Sequence, residues 1–175
     1  MNYPSWQSLV PDSIREDSLW KMTAYRLGLF LSDIAWADVT RLVSDHRTRG
    51  LADQLFRAVG TVSANLAEGY SRGTGRDRAR FYEYALGSAR EARDWYFKAR
   101  HILGEPVTSH RLDFLTEIIR LLLTMVPEQR GAVLKEDEVP YHVTNEVFDD
   151  ENAILPESLL QDIPFLEEGS AQPKT

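Results

Sequence analysis

The chain has 175 residues, 43% of them hydrophobic and 27% charged, which suits one globular core rather than a fibrous or wholly disordered polymer. It contains no cysteine, and this excludes disulfides, thiolate metal sites and thiol nucleophiles together. The net charge of -7 is unevenly divided: residues 1–126 hold 17 Lys+Arg against 15 Asp+Glu, while residues 127–175 hold 3 against 12, so a near-neutral body carries an acidic tail.

Residues 1–12 carry Tyr3, Trp6, Leu9 and Val10 ahead of any capped helix. They form an aromatic segment expected to latch onto the body or onto a neighbouring subunit. The start, Met1-Asn2-Tyr3-Pro4-Ser5-Trp6-Gln7, lacks the basic and apolar regions of a secretory signal. No stretch approaches the ~18 apolar residues of a membrane span, and a cytoplasmic location without membrane contact is expected.

Ser13-Ile14-Arg15-Glu16 has the capping-box pattern that starts a helix. Trp20, Ala24, Leu27, Leu31 and Ile34 then alternate at spacings of four and three, and Asp38 and Arg41 turn the stripe polar, so helix one is expected to run to about Ser44. A polar connection over 44–50 leads to Leu51, Leu55, Val59, Val62 and Leu66, the stripe of a second helix ending near Ser71. Thr74-Gly75-Arg76-Asp77 is a second capping pattern, and Phe81, Tyr84, Ala85, Ser88, Ala92, Trp95, Ala99 and Ile102 place a third helix up to about Gly104. Pro106 suits the first turn of a fourth, with a seam of Leu112, Leu115, Ile119, Leu122 and Val126, closed by Pro127.

Four amphipathic helices on short connections must share one core and run antiparallel to their neighbours. The expected fold is all-α, an up-down-up-down four-helix bundle over 13–126, followed by an irregular acidic tail over 127–175. In the tail, Phe148, Leu155, Leu159, Leu160 and Phe165 are candidate contact residues, and a short helix is expected over 156–163. Charge attraction is expected to seat the tail on the basic surface of the bundle, where it would compete with a polyanion.

Around Gly50 to Ala58, in Ser63-Ala64-Asn65-Leu66-Ala67-Glu68-Gly69, and from Phe81 to Glu91 around Gly87-Ser88, the chain resembles a known family. This is the family of four-helix-bundle proteins found in intervening sequences of bacterial large-subunit ribosomal RNA genes. The resemblance covers about Trp20 to Val126. It implies a ring-forming bundle, commonly a homopentamer, without catalytic residues. It also implies a tie to the accessory proteins of diversity-generating retroelement reverse transcriptases, which bind nucleic acid and the enzyme.

The motif residues Asn65, Glu68, Gly69, Gly87 and Ser88 read as structural. Small residues would let helices two and three approach while Asn65, Glu68 and Ser88 bond across them. The alternative makes Glu68 and Glu91 a general acid–base pair, which needs a cleft that the sequence does not indicate. Di-iron bundles use Glu-x-x-His motifs, whereas Val43, Lys98, Val107 and Val139 stand three before His46, His101, His110 and His142; no metal and no cofactor are expected. His101 and His110 read as helix-end or loop residues. Arg72, Arg76, Arg78 and Arg80 form the densest basic cluster, and Arg47 with Arg49 lie at the opposite end. Guanidinium forks suit phosphates and carboxylates, so these six are candidates for nucleic acid or a protein partner. The expected function is a non-enzymatic homo-oligomeric adaptor touching RNA or DNA beside a reverse transcriptase. The alternative is a scaffold whose tail binds a protein or masks the basic surface.

Overall fold

The computed structural model describes residues 2–130 and 155–166. Every regular element among them is helical: α1 (Tyr3–Leu9), α2 (Asp12–Arg15), a 3-10 turn (Ser18–Lys21), α3 (Thr23–Val43), α4 (Arg49–Tyr70), α5 (Gly75–Arg130) and α6 (Glu157–Gln161). The α5 path is broken at Gly104, with φ 73° and ψ 166°. That conformation is essentially closed to residues with a Cβ, so Gly104 divides α5 into a first arm over 75–103 and a second arm over 105–130. Pro106, in the first turn of the second arm, has no amide hydrogen to lose there.

One core joins α3, α4 and both arms. Leu27, Leu31 and Ile34 of α3, Leu55, Val59, Val62 and Leu66 of α4, Ala85, Ala89 and Ala92 of the first arm, and Phe114, Leu115, Ile118 and Leu122 of the second are all shielded from solvent. Burial of such side chains stabilises by about 1.5–3 kcal/mol each for the larger ones. α4 and the first arm approach closely: a Cβ built on Gly69 would stand 2.7 Å from Tyr82 Cε1 and 2.9 Å from Phe81 Cβ.

Helix one does not begin at Ser13. Pro11 precedes α2 without a side-chain cap, the Asp17 carboxylate takes the Leu19 amide hydrogen at 2.8 Å, and Met22 is extended. The chain therefore makes two short turns before α3. Trp20 leaves the helical seam and stacks on Trp6, with ring centroids 6.0 Å apart. The N-terminal segment is itself a helix, capped by Asn2 through the Ser5 amide at 3.0 Å. Trp6 is buried against Phe30 at 5.1 Å, while Leu9 is exposed. In this single chain the segment packs on its own body.

Two other expectations change. The first arm buries Tyr82, Ala85, Leu86, Ala89, Ala92, Tyr96 and Ala99, so its stripe is rotated: Tyr82 and Tyr96 turn inward where Phe81 and Trp95 were expected, and Tyr84 lies outside. Pro127 does not end the helix, which continues to Arg130. Arg130 pairs with Glu83 at 2.6 Å. Among the described residues, no helix is long and apolar enough to cross a membrane.

Candidate nucleic-acid interface

The connection between α4 and α5 gathers the arginine cluster. Thr74 caps the start of α5: its Oγ1 accepts the Asp77 amide hydrogen at 3.2 Å and donates to the Asp77 carboxylate at 2.7 Å. The helix thus begins with its positive dipole end beside Arg76, Arg78 and Arg80, an arrangement that favours an anion. Arg72 pairs with Glu68 one turn back and lies over the Phe81 ring at 4.5 Å. Arg80 lies 5.9 Å from the Phe81 ring and 5.7 Å from that of Tyr84, and donates from Nε to the Tyr84 hydroxyl at 3.0 Å. Arg78 turns to structural use, with Nε on the Arg72 carbonyl at 3.0 Å and Nη1 on Gln129 at 3.4 Å. Arg76 is exposed and has no hydrogen bond or ion pair among the described residues. The four are therefore unequal: Arg72 and Arg80 lie beside aromatic rings, Arg76 is exposed between them in sequence, and Arg78 holds the connection to the end of α5.

Arg47 and Arg49 are not brought to this cluster, since the 22 residues of α4 put the two ends about 33 Å apart. Arg47 is bound to Asp45, with Nη2 at 2.5 Å and Nε at 2.9 Å. These hydrogen bonds hold the Asp45 carboxyl well below the usual carboxylate range. Arg49 donates to the Val43 carbonyl at 3.3 Å. Both complete the α3–α4 turn.

The polar motif residues do not bond across α4 and α5 as expected. Asn65 donates to the Thr61 carbonyl at 2.9 Å, Ser88 to the Tyr84 carbonyl at 2.9 Å, and Glu68 takes Arg72. Each partner lies one turn away on the same helix, or just beyond its end. Close approach needs only the missing side chain of Gly69; Gly87 is exposed, with open space where a Cβ would stand. Glu68 and Glu91 are both exposed, and Glu91 accepts from Trp95 Nε1 at 3.2 Å.

The structure also contains a buried polar cluster that sequence reasoning missed. Asp38, expected to mark the polar end of its stripe, is 4% exposed, and Arg111 is 0% exposed. Arg111 donates to Asp38 from Nε at 2.8 Å and Nη2 at 3.2 Å, and the Tyr96 hydroxyl donates to Asp38 Oδ2 at 2.9 Å. Burial foremost, then the Asp38 charge, raises the Tyr96 phenol well above its ordinary range. His110 is buried in the second arm and not at a helix end. Its Nδ1 faces Arg111 Nη1 at 2.9 Å and its Nε2 faces the Leu159 carbonyl at 3.0 Å. Since arginine only donates, the ring is neutral with its hydrogen on Nε2; burial and Arg111 lower its pKa. One signal was available: Asp38 follows Leu31 and Ile34 at the same three-four spacing as the core.

The described part of the tail meets this cluster, not the arginine connection. Leu155 and Leu159 are buried, Leu160 is partly buried, and Phe165 is 37% exposed with its ring 5.3 Å from the Arg111 guanidinium. Arg111 Nη2 also donates to the Pro164 carbonyl at 3.1 Å, and Asn2 donates to Gln161 at 3.2 Å. Apolar burial and main-chain acceptors decide this contact, so the electrostatic docking expected from the tail's charge does not describe residues 155–166. Phe148 lies outside the described residues. Among the described residues, no three His, Cys, Asp or Glu are gathered as a metal site.

Fold and site together define an all-helical protein with an arginine-and-aromatic surface at one helix connection. The chain belongs to the 23S rRNA-intervening sequence protein family, whose sequence profile matches residues 21–124. No curated protein and no solved structure matches it.

Proposed function

We propose that this chain is a non-enzymatic cytoplasmic adaptor, an antiparallel up-down-up-down four-helix bundle that assembles into a closed ring of five copies. It contacts RNA or DNA through Arg72, Arg76 and Arg80, beside a reverse transcriptase. The observation that carries the nucleic-acid reading is the juxtaposition of the Arg72 and Arg80 guanidiniums with Phe81 and Tyr84 at the start of α5, with exposed Arg76 nearby in sequence. Cations for phosphates and rings for bases are the two components of single-strand binding, and the family's name ties it to ribosomal RNA genes. Assembly is supported by Trp36 and Phe56, 65% and 41% exposed with ring centroids 5.7 Å apart, a patch that a neighbouring copy would cover.

The test is RNA binding measured between ~50 and ~200 mM salt for the native chain and for Arg72→Ala/Arg76→Ala/Arg80→Ala. Each lost phosphate contact lowers the single-strand salt slope by about 0.7, so the triple variant is expected to lose about 2. Binding with an unchanged slope, or none at low salt, refutes the assignment and leaves the scaffold reading. Light scattering should return five times 20.0 kDa, and a monomer mass at micromolar concentration refutes the ring.

A further inference from the structure

We propose that the cavity beneath the α4–α5 connection takes a guanine base, turned out of the strand that the arginine cluster holds. The source of the base rests on the nucleic-acid reading above; the cavity itself does not.

The end of α4, the start of the first arm and the last turns of the second arm enclose about 210 Å³. Gly75 brings the arms together, since it lies directly against the Gln129 carbonyl with no room for a side chain. The walls are of the kind a flat ring packs on: Tyr70 and Tyr82, with the thioethers of Met22 and Met125. An apolar cavity of about 150 Å³ holds benzene, so this one has room for the two fused rings of a purine.

The polar lining selects which purine. Arg120 is already paired with Glu117 at 2.8 Å. Arg78 and Glu128 both line the cavity without pairing with each other, and Glu128 has no hydrogen bond or ion pair among the described residues. Arg78 uses Nε on the Arg72 carbonyl and Nη1 on Gln129, which leaves Nη2 for an occupant. An unpaired cation and an unpaired anion on one cavity suit a neutral molecule with a dipolar edge, and not a phosphate or a carboxylate. A guanidinium only donates and a carboxylate only accepts. Guanine presents adjacent donors, N1–H and the 2-amino group, to the two oxygens of a carboxylate, and the acceptors O6 and N7 to a guanidinium. Adenine, cytosine and uracil offer no such pair of neighbouring donors.

Arg78 also links the cavity to the strand. Its Nε holds the carbonyl of Arg72, whose guanidinium stands over Phe81. A backbone held at Arg72, Arg76 and Arg80 therefore passes beside the cavity, and one base turned inward exchanges its neighbours in the strand for the tyrosine walls.

The experiment follows fluorescence anisotropy of the full chain at low salt with a short single-stranded RNA that carries one guanine among uridines, and with strands that carry inosine or adenine in its place. The guanine strand should bind about tenfold tighter than the adenine strand, and inosine, which lacks the 2-amino group, should fall between them. Glu128→Gln should abolish the preference and leave the salt slope unchanged. Arg72→Ala/Arg76→Ala/Arg80→Ala should weaken every strand and keep their order. Equal affinity for the guanine and adenine strands, or a preference that survives Glu128→Gln, overturns the proposal and leaves the nucleic-acid reading standing. If no strand binds, that reading has failed, and guanosine and adenosine monophosphates test the cavity alone through the methyl NMR signals of Met22 and Met125. Shifts with the guanine nucleotide that Glu128→Gln removes uphold the base pocket; no shift, or equal shifts with both nucleotides, overturns it.

Discussion

Removing the Asp38 carboxylate probes the most consequential interaction in the core. In Asp38→Ala, Arg111 Nε loses its 2.8 Å acceptor, Nη2 its 3.2 Å one, and the Tyr96 hydroxyl its 2.9 Å one. Arg111, 0% exposed, cannot turn to water, and the Pro164 carbonyl and His110 Nδ1 remain as neutral acceptors. Leaving one member of a buried ion pair uncompensated costs about 3–5 kcal/mol, a large share of the ~5–15 kcal/mol that holds a domain together. The double variant Asp38→Ala/Arg111→Met removes the stranded charge, and should cost less than Asp38→Ala alone although it deletes more contacts. Urea denaturation followed by circular dichroism measures each value by linear extrapolation. The exposed Lys98–Asp94 pair is the control, where Asp94→Ala should cost at most ~0.5 kcal/mol. If Asp38→Ala costs no more than Asp94→Ala, or the double variant is the least stable, the buried pair does not carry the weight given to it.

Two further outcomes follow from the packing. Gly69→Ala would press a methyl group into Tyr82 and Phe81 and should destabilise by about 1–3 kcal/mol, whereas Gly87→Ala fills open space on an exposed helix surface and should stabilise by up to ~1 kcal/mol. Thermal melts rank the two, and similar losses at both sites would contradict the close approach assigned to Gly69. His110 has a lowered pKa in the folded chain, so the unfolded chain binds the proton first as pH falls below ~6.5. Stability should decline from there downward, and His110→Gln should flatten that part of a pH series of urea midpoints; an unchanged profile would remove His110 as its source.

Much of the architecture was legible in the residues. Three-four spacing gave the α4 stripe, and Leu27, Leu31 and Ile34 of α3, because helical periodicity is a local property. Thr74 and Asp77 gave the start of α5, and Gly104 its break. The start of α3 was hidden, since Ser13 and Glu16 satisfy the capping pattern while Asp17 captures a nearer amide. The rotation of the first arm was hidden too, because Phe81 and Tyr82, like Trp95 and Tyr96, are adjacent aromatic residues, and only packing against the other helices selects which of each pair turns inward.

The candidate surface divides in the same way. The arginine cluster was visible as a run of charge, but the separate role of Arg78 depends on Gln129, which only the folded chain brings to it. Asp38 and Arg111 are 73 residues apart in sequence, and each alone reads as a solvated charge. Periodicity, caps and charge distribution are written in neighbours along the chain, so the sequence by itself determined the helices and the acidic character of the tail. Whether a charge meets water or a buried counter-charge depends on distant segments packing together, so only the tertiary structure decided that Arg111 is core and that Leu155 and Leu159 dock beside it.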